Sequence, residues 1–237
     1  MSDLTETNRR FYHDLWSGAR LLAPERFNTW PLVSAMSAAR GPALEVGPGL
    51  RPRLPLADTV FLEASVPAVV RLRRSGARAL AGDVRHLPFR GASFATVAAF
   101  DIVEHIEDDA SAFRELVRVL APDGSLVLSV PLHSSAWTGF DEMVGHYRRY
   151  DPEELHKTLA DQGLRVIESA VYGMQPTNRW LLDLGVWMMR THPARAMRWY
   201  NRVFMPIGIW LQKPLRFVPG LVDSPEVDEI IAVCRRN

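Results

Sequence analysis

Titratable side chains stand in this chain at the ends of short apolar runs, where a ligand can reach them. Glu45 lies in "ALEVGPG", just before Gly47-x-Gly49. Glu63 ends "TVFLE", Asp83 follows "RALAG", and Asp101 ends "FATVAAFD". The two glycines allow close approach of backbone to a ligand. Glu63 can accept from both hydroxyls of a ribose, and Asp83 from an exocyclic amine. Acids in this arrangement suit a nucleoside with a cationic tail. A pyrophosphate instead wants a helix N-terminus and few carboxylates nearby. His105 in "DIVEHIEDD" and His146 in "FDEMVGHYRRYDPEEL" add acid–base capacity. His146 shares its segment with Asp141, Glu142, Tyr147, Arg148, Arg149 and Tyr150.

Strands must carry these groups. Near-continuous apolar runs read as strands at "PALEV", "TVFLEA", "ARALAG", "FATVAAFD", "SLVLSVP", "LRVIESAVY" and "DEIIAVC". Runs of that kind suit a parallel sheet covered on both faces. Amphipathic helices intervene. In "EDDASAFRELVRVLAPDG" Phe113, Leu116, Val117 and Leu120 form an apolar face. Asp108 or Asp109 caps its start and Pro122-Asp123-Gly124 ends it. In "DPEELHKTLADQG" Asp151 reads as the N-cap, Glu154 as its capping-box partner, and Gly163 as the C-terminal turn. The pattern is a doubly wound α/β fold. Between "ALEV" and "VFLEA" the chain is so short, with Pro52 and Pro55, that any helix there has one or two turns. Histidine-bearing loops after the fourth and fifth strands lie at the carboxyl ends, where such folds keep their chemistry.

Composition bounds the class. An apolar share of 47% supports a real core, and a net charge of +1 gives no general pull toward nucleic acid. The single cysteine, Cys234, excludes an intrachain disulfide and a cysteine zinc cage. The N-terminal "MSDLTETNRRFYHDLW" has no apolar signal core, and no apolar run reaches the roughly 20 residues of a spanning helix. The expectation is a soluble cytoplasmic protein. Met174 to Val222 departs from the rest, with seven basic residues against Asp183 alone and four of the seven tryptophans.

The order E-x-G-x-G, acid, G-D, D-x-x-E-H, then "FRELVRVLAPDGSLVLSVP", resembles class I S-adenosylmethionine-dependent methyltransferases of the small-molecule type. The resemblance covers about residues 40 to 170 and the last strand. It implies a Rossmann-like seven-stranded sheet with a reversed last strand. It implies that Glu45, Gly47 and Gly49 bracket the methionine part of the cofactor, and that Glu63 binds the ribose. Asp83 would meet the adenine amine, Val84 the ring, and Phe100 and Asp101 the methionine side. Arg51, at an often-glycine position, must then point away from the sulfonium. The chain divides into an N-terminal helical lid (1–40), a core (41–173 with 226–237) and a basic helical insert (174–225).

Methyl transfer depends mainly on alignment, and an unactivated hydroxyl also needs a base. His146 and His105 are the candidate bases. Tyr12, Glu142, Tyr147 and Arg148 are candidate contacts to a small-molecule acceptor, although Arg148 or Arg149 can instead pair with Asp151 or Glu153. The expected reaction is O-methylation of a saccharide or secondary metabolite. C- or N-methylation of a quinone, lipid or amine is the alternative, and a non-catalytic binding protein the other class. Asp141, Glu142 and Asp101 supply the hard oxygens that suit Mg²⁺, but the spacing does not demand it and no metal is expected. The insert reads as a lid, with homo-oligomer contact and peripheral membrane contact as the other two readings.

Overall fold

The computed structural model describes residues 3–173, 179–222, 224 and 226–237. Eight strands form one sheet: β1 Ala43–Val46, β2 Thr59–Glu63, β3 Arg78–Ala81, β4 Phe94–Phe100, β5 Leu120–Pro131, β6 Leu164–Val171, β7 Val218–Pro219 and β8 Glu229–Arg236. Their order is β3-β2-β1-β4-β5-β8-β6-β7. Strands β1 to β5 pair in parallel, while β8 runs antiparallel between β5 and β6. The expected reversed last strand is therefore present, and the short edge strand β7 adds an eighth. Strand order reverses between β1 and β4, so a crevice opens at their carboxyl ends.

Alternate residues face opposite layers, as a strand's period of two requires. Leu44, Val46, Val97, Ala99, Leu126 and Leu128 join one core, and Ala43, Ala98, Phe100 and Val127 the other. The helices are α1 Asp3–Gly18, α2 Trp30–Arg40, α3 Val66–Arg74, α4 Asp109–Val119, α5 Gly139–Val144, α6 Pro152–Asp161, α7 Arg179–Thr191, α8 Pro193–Trp199 and α9 Met205–Trp210. Phe113 and Leu116 of α4 are fully buried, and Asp108 caps its start by accepting from Ser111 N at 3.1 Å. α4 stops at Val119, earlier than Pro122-Asp123-Gly124, because Leu120 is drawn into pairing with Phe94. Asp151 does precede α6, but its carboxylate accepts from Ser134 N and Oγ at 3.0 and 2.8 Å, so no capping box forms. The insert forms α7, α8, a π-helical turn at Tyr200–Phe204, and α9. Pro206 has no N–H for the helical bond it interrupts, a local reason for the irregular turn. The insert's residues 174–178, 223 and 225 lie outside the described residues. Among the described residues, no helix is long and apolar enough to cross a membrane.

The connection from β1 to β2 contains no helix at all, against the expected one or two turns. Pro52 and Pro55 offer no N–H, so a buried side chain does what helical bonds would do. Glu45 accepts from Arg53 N at 3.0 Å and Leu54 N at 2.8 Å. The Arg53 guanidinium then lies 3.6 Å over the Phe27 ring and donates to Tyr172 Oη at 3.1 Å. Burial outweighs those backbone donors and pushes the Glu45 carboxyl up from 4.5 to about 7. The fold thus holds this proton more tightly than the unfolded chain does. Its contribution is complete below pH 4.5 and is lost as pH rises through about 7, an effect of roughly 3 kcal/mol. Urea unfolding from pH 4.5 to 8 should show that decline, and Glu45→Gln should flatten it.

Candidate active site

Gly47 and Gly49 turn the chain out of β1 with φ of 66° and 55°. A Cβ on Gly47 would stand 2.1 Å from Ile102, and one on Gly49 2.0 Å from the Trp16 indole. Only glycine therefore fits, and the close approach is to this chain's own side chains. Gly49 N donates to Glu63 Oε2 at 2.8 Å, and Ser65 N to Glu63 Oε1 at 2.7 Å. Each Glu63 oxygen keeps lone-pair capacity for a further donor. Glu45 faces the other way, its carboxylate engaged by the loop backbone, so any bracketing role falls to the turn rather than to that side chain. Arg51 lies between the Trp16 and Tyr200 rings, 5.1 and 5.2 Å from their centroids, and donates to Asn201 Oδ1. It points into the insert.

At the neighbouring strand ends, Asp83 is partly exposed and paired with Arg85, whose hydrogen bonds hold its carboxyl below the usual range. Val84 is buried beside it. Phe100 packs in the core, and Asp101 turns the chain with φ of 54°. Left-handed backbone at a non-glycine residue costs energy and is common at functional sites. Ser129 holds it there, with Oγ donating to Asp101 Oδ1 at 2.6 Å and receiving Asp101 N at 3.0 Å.

A turn at Val103–His105 follows β4 and brings both sequence-derived histidines together. The His105 and His146 rings lie 4.5 Å apart at 70°. His146 Nδ1 sits 2.8 Å from Asp141 Oδ1, while Asp141 also accepts from Arg149 Nε at 2.9 Å and Thr138 N at 2.7 Å. Burial works against the Asp141 charge, yet the His146 and Arg149 bonds outweigh it and hold the carboxyl below its ordinary value. The carboxylate makes Nδ1 the protonated nitrogen and leaves Nε2 a lone pair. His105 contacts α1, with Nε2 3.1 Å from Tyr12 Oη and Nδ1 2.7 Å from Asn8 Nδ2. Burial, then the neighbouring His146, drives its pKa well down. Glu104 is fully buried with neither carboxylate oxygen bonded, and burial followed by the Asp101 charge pushes its pKa well up.

Other candidates divide. Tyr12 joins the centre, and Tyr147 N donates to the Glu104 carbonyl at 2.8 Å. Arg148 is turned to Asp109 at 2.6 Å, and Glu142 reaches out to Arg190 of α7 at 3.1 Å. The expected partners Asp151 and Glu153 are thus replaced by Asp109 for Arg148, and by Asp141 and Asp228 for Arg149. The oxygen set Asp101, Asp141 and Glu142 does not converge. Among the described residues, the ligand atoms of Glu104, His105 and His146 do, all within 4.8 Å of one another. Asn8 and Asp228 complete the site without any sequence signal, since each acts through a contact far along the chain, whereas Thr138 meets Asp141 only three residues on, in a capping box whose spacing was legible.

A family model for a methyltransferase domain matches residues 45–128. A probable S-adenosylmethionine-dependent methyltransferase of Mycobacterium tuberculosis is 31% identical over 117 residues, 48% of this chain and 42% of that protein. The chain spans less than half the length of that relative. Among solved structures, a possible histamine N-methyltransferase from Thermotoga maritima superposes with a TM-score of 0.57 at 15% identity, over 90% of this chain and 91% of that one. An S-adenosylmethionine-dependent methyltransferase from Mesorhizobium loti gives 0.53 at 14% identity, over 90% and 100%. At such identities the likeness establishes a shared fold.

Arg149 is wholly buried and holds Asp141 against Asp228. Arg149→Ala leaves a buried carboxylate without its main cation, which costs about 3–5 kcal/mol. A urea titration should show the midpoint fall with the slope unchanged; a loss below about 1 kcal/mol would be the signature of a surface pair instead.

Proposed function

We infer that this chain, whose residues 45–128 match a methyltransferase domain, is a class I S-adenosylmethionine-dependent methyltransferase that transfers a methyl group to a hydroxyl of a saccharide or secondary metabolite. The observation that carries this reading is the imidazole pair at the end of β4, one ring oriented by a buried carboxylate. An amine acceptor can use its own lone pair, whereas an unactivated hydroxyl needs its proton removed. The reading divides the chain into lid 1–40, core 41–173 with 226–237, and insert 174–225.

The strand ends fit the cofactor. Glu63 retains acceptor capacity for a ribose diol after taking Gly49 N and Ser65 N. Asp83 can exchange Arg85, a pair worth roughly 0–1 kcal/mol at such exposure, for the adenine amine, with Val84 against the ring. Asp101, beside Phe100, adds negative charge suited to a cationic ligand, and Gly47 and Gly49 shape the turn. When bound, the cofactor supplies an electrophilic methyl on a positive sulfur. Tyr12 and Trp16 of α1 cover the turn and the histidines, so α1 acts as the lid. His146 and His105 lower the barrier to losing the acceptor's proton, a contribution of about 10²–10⁴-fold. S-adenosylhomocysteine should bind with saturable heat, and Asp83→Ala should weaken it about tenfold. His146→Ala should bind it normally while turnover drops at least about 100-fold. No binding heat would leave the non-catalytic reading, and full turnover in both His146→Ala and His105→Ala would remove the histidines from the mechanism.

A separate observation supports an acceptor met at a lipid surface. Among the described residues, ten of the fourteen exposed large apolar side chains lie in the insert, among them Trp180, Trp187, Trp199 and Trp210. Exposed Arg190, Arg195, Arg198 and Arg202 accompany them. Aromatic rings with surrounding cations suit an anionic interface. The chain should sediment with phosphatidylglycerol vesicles and not with phosphatidylcholine, and Trp210→Ala should reduce the bound fraction. A dimer in gel filtration that Trp210→Ala dissociates, without vesicle binding, would make this face an oligomer contact.

A further inference from the structure

We propose that Glu104, His105 and His146 bind one divalent first-row transition-metal ion. The ligand atoms of the three lie within 4.8 Å of one another at the end of β4. Glu104 supplies the independent pointer. It has no exposed surface, and neither oxygen has a hydrogen-bond partner. A buried carboxylate is normally paired, bonded or on a metal, and an orphan needs a cause. An ion between it and the imidazoles provides one.

The surroundings are those of a metal ligand set. Asp141 accepts a hydrogen bond from His146 Nδ1–H, which directs the Nε2 lone pair away from that carboxylate. A carboxylate behind a ligating imidazole fixes its tautomer and raises its basicity. Asp141 is itself fixed by Arg149 and Thr138. On His105, Nε2 now faces the Tyr12 hydroxyl at 3.1 Å, and Nδ1 lies 3.4 Å from the Gly145 carbonyl. Nδ1 also lies 2.7 Å from the Asn8 amide donor, so binding at Nε2 displaces the Tyr12 hydroxyl, turns the Asn8 amide aside and puts the proton on Nδ1 toward the carbonyl; α1, which carries both side chains, thereby gates the ion. Bonds of about 2.1 Å bring ligand atoms to within roughly 4 Å of each other, which asks for movements under about 1 Å. Two imidazoles with one carboxylate favour Zn²⁺, Mn²⁺ or Fe²⁺ over the all-oxygen preference of Mg²⁺. Three protein ligands leave positions open.

The ion's role rests on the methyltransferase reading above. A hydroxyl oxygen that bonds to the ion becomes more acidic; its O–H bond breaks and the proton passes to water. The histidines then serve the acceptor by holding the ion.

Metal uptake is measured without cofactor, which separates it from that reading. Chelator-treated protein is titrated with ZnCl₂, MnCl₂ and MgCl₂ by calorimetry, and its content after dialysis is measured by mass spectrometry. One equivalent of Zn²⁺ or Mn²⁺ is expected, with Mg²⁺ at least about 100-fold weaker. Glu104→Gln and, separately, His146→Asn should each lose about 100-fold in affinity, while His156→Ala on the outer face of α6 keeps it. S-adenosylhomocysteine binding by the same variants reports that they are folded. Absence of saturable uptake by the wild-type chain overturns the proposal by itself, as does unchanged uptake in both ligand variants. Chelation should abolish turnover and Mn²⁺ or Zn²⁺ restore it; full turnover in the metal-free protein overturns the assigned role.

Discussion

A single buried carboxylate organises the functional end of this protein. Asp141 accepts from His146, Arg149 and Thr138 at once and has no exposed surface. Through Thr138 it closes a capping box at the start of α5. Through Arg149 it reaches Asp228, where the chain enters β8. Through His146 it sets which nitrogen faces the crevice. A charge at this depth is tolerable only with such a complete set of donors, because desolvation of an unpaired carboxylate costs several kcal/mol. The same completeness removes freedom: the His146 ring is defined by the donors around Asp141.

The sheet explains why this network lies beside the glycine turn. Parallel strands β1 and β4 are neighbours, so the loops at their carboxyl ends open on one crevice. Gly47 and Gly49 leave β1 there, and Asp101, Glu104 and His105 follow β4. Asp101 takes a left-handed backbone whose strain Ser129 of β5 offsets with two hydrogen bonds. α1 packs over this edge, its Trp16 against Gly49 and its Tyr12 against His105. α8 lies on α1, and α7 on α5, so this segment backs α1 and turns its tryptophans outward.

The elements most readable in the sequence were those governed by local chemistry. Runs such as "TVFLE" and "SLVLSV" are strands because β-branched and apolar residues recur without helical spacing, and they pair in parallel with β1 and β4, as continuous apolar runs suggest. Asp108 caps α4, and Gly163 takes its positive φ after α6. Readings failed where a distant partner competed with a local one. Asp151 abandons its own helix for Ser134, and Arg148 passes over Asp151 and Glu153 for Asp109. Glu45 replaces an expected helix by capturing two backbone N–H groups eight and nine residues on.

By itself the sequence determined the kind of sheet, the position of the glycine turn, the acids at the strand ends and the two histidines, because period, turn chemistry and residue type are local properties. The tertiary structure alone decided that His105 and His146 meet, that Asp141 orients one of them, and that Glu104 is left without a partner between them. Those facts depend on burial and, for the meeting of the two histidines, on a contact between residues some forty positions apart. Side-chain partners at that separation are chosen by how the layers pack, and that choice is made only when the whole core closes.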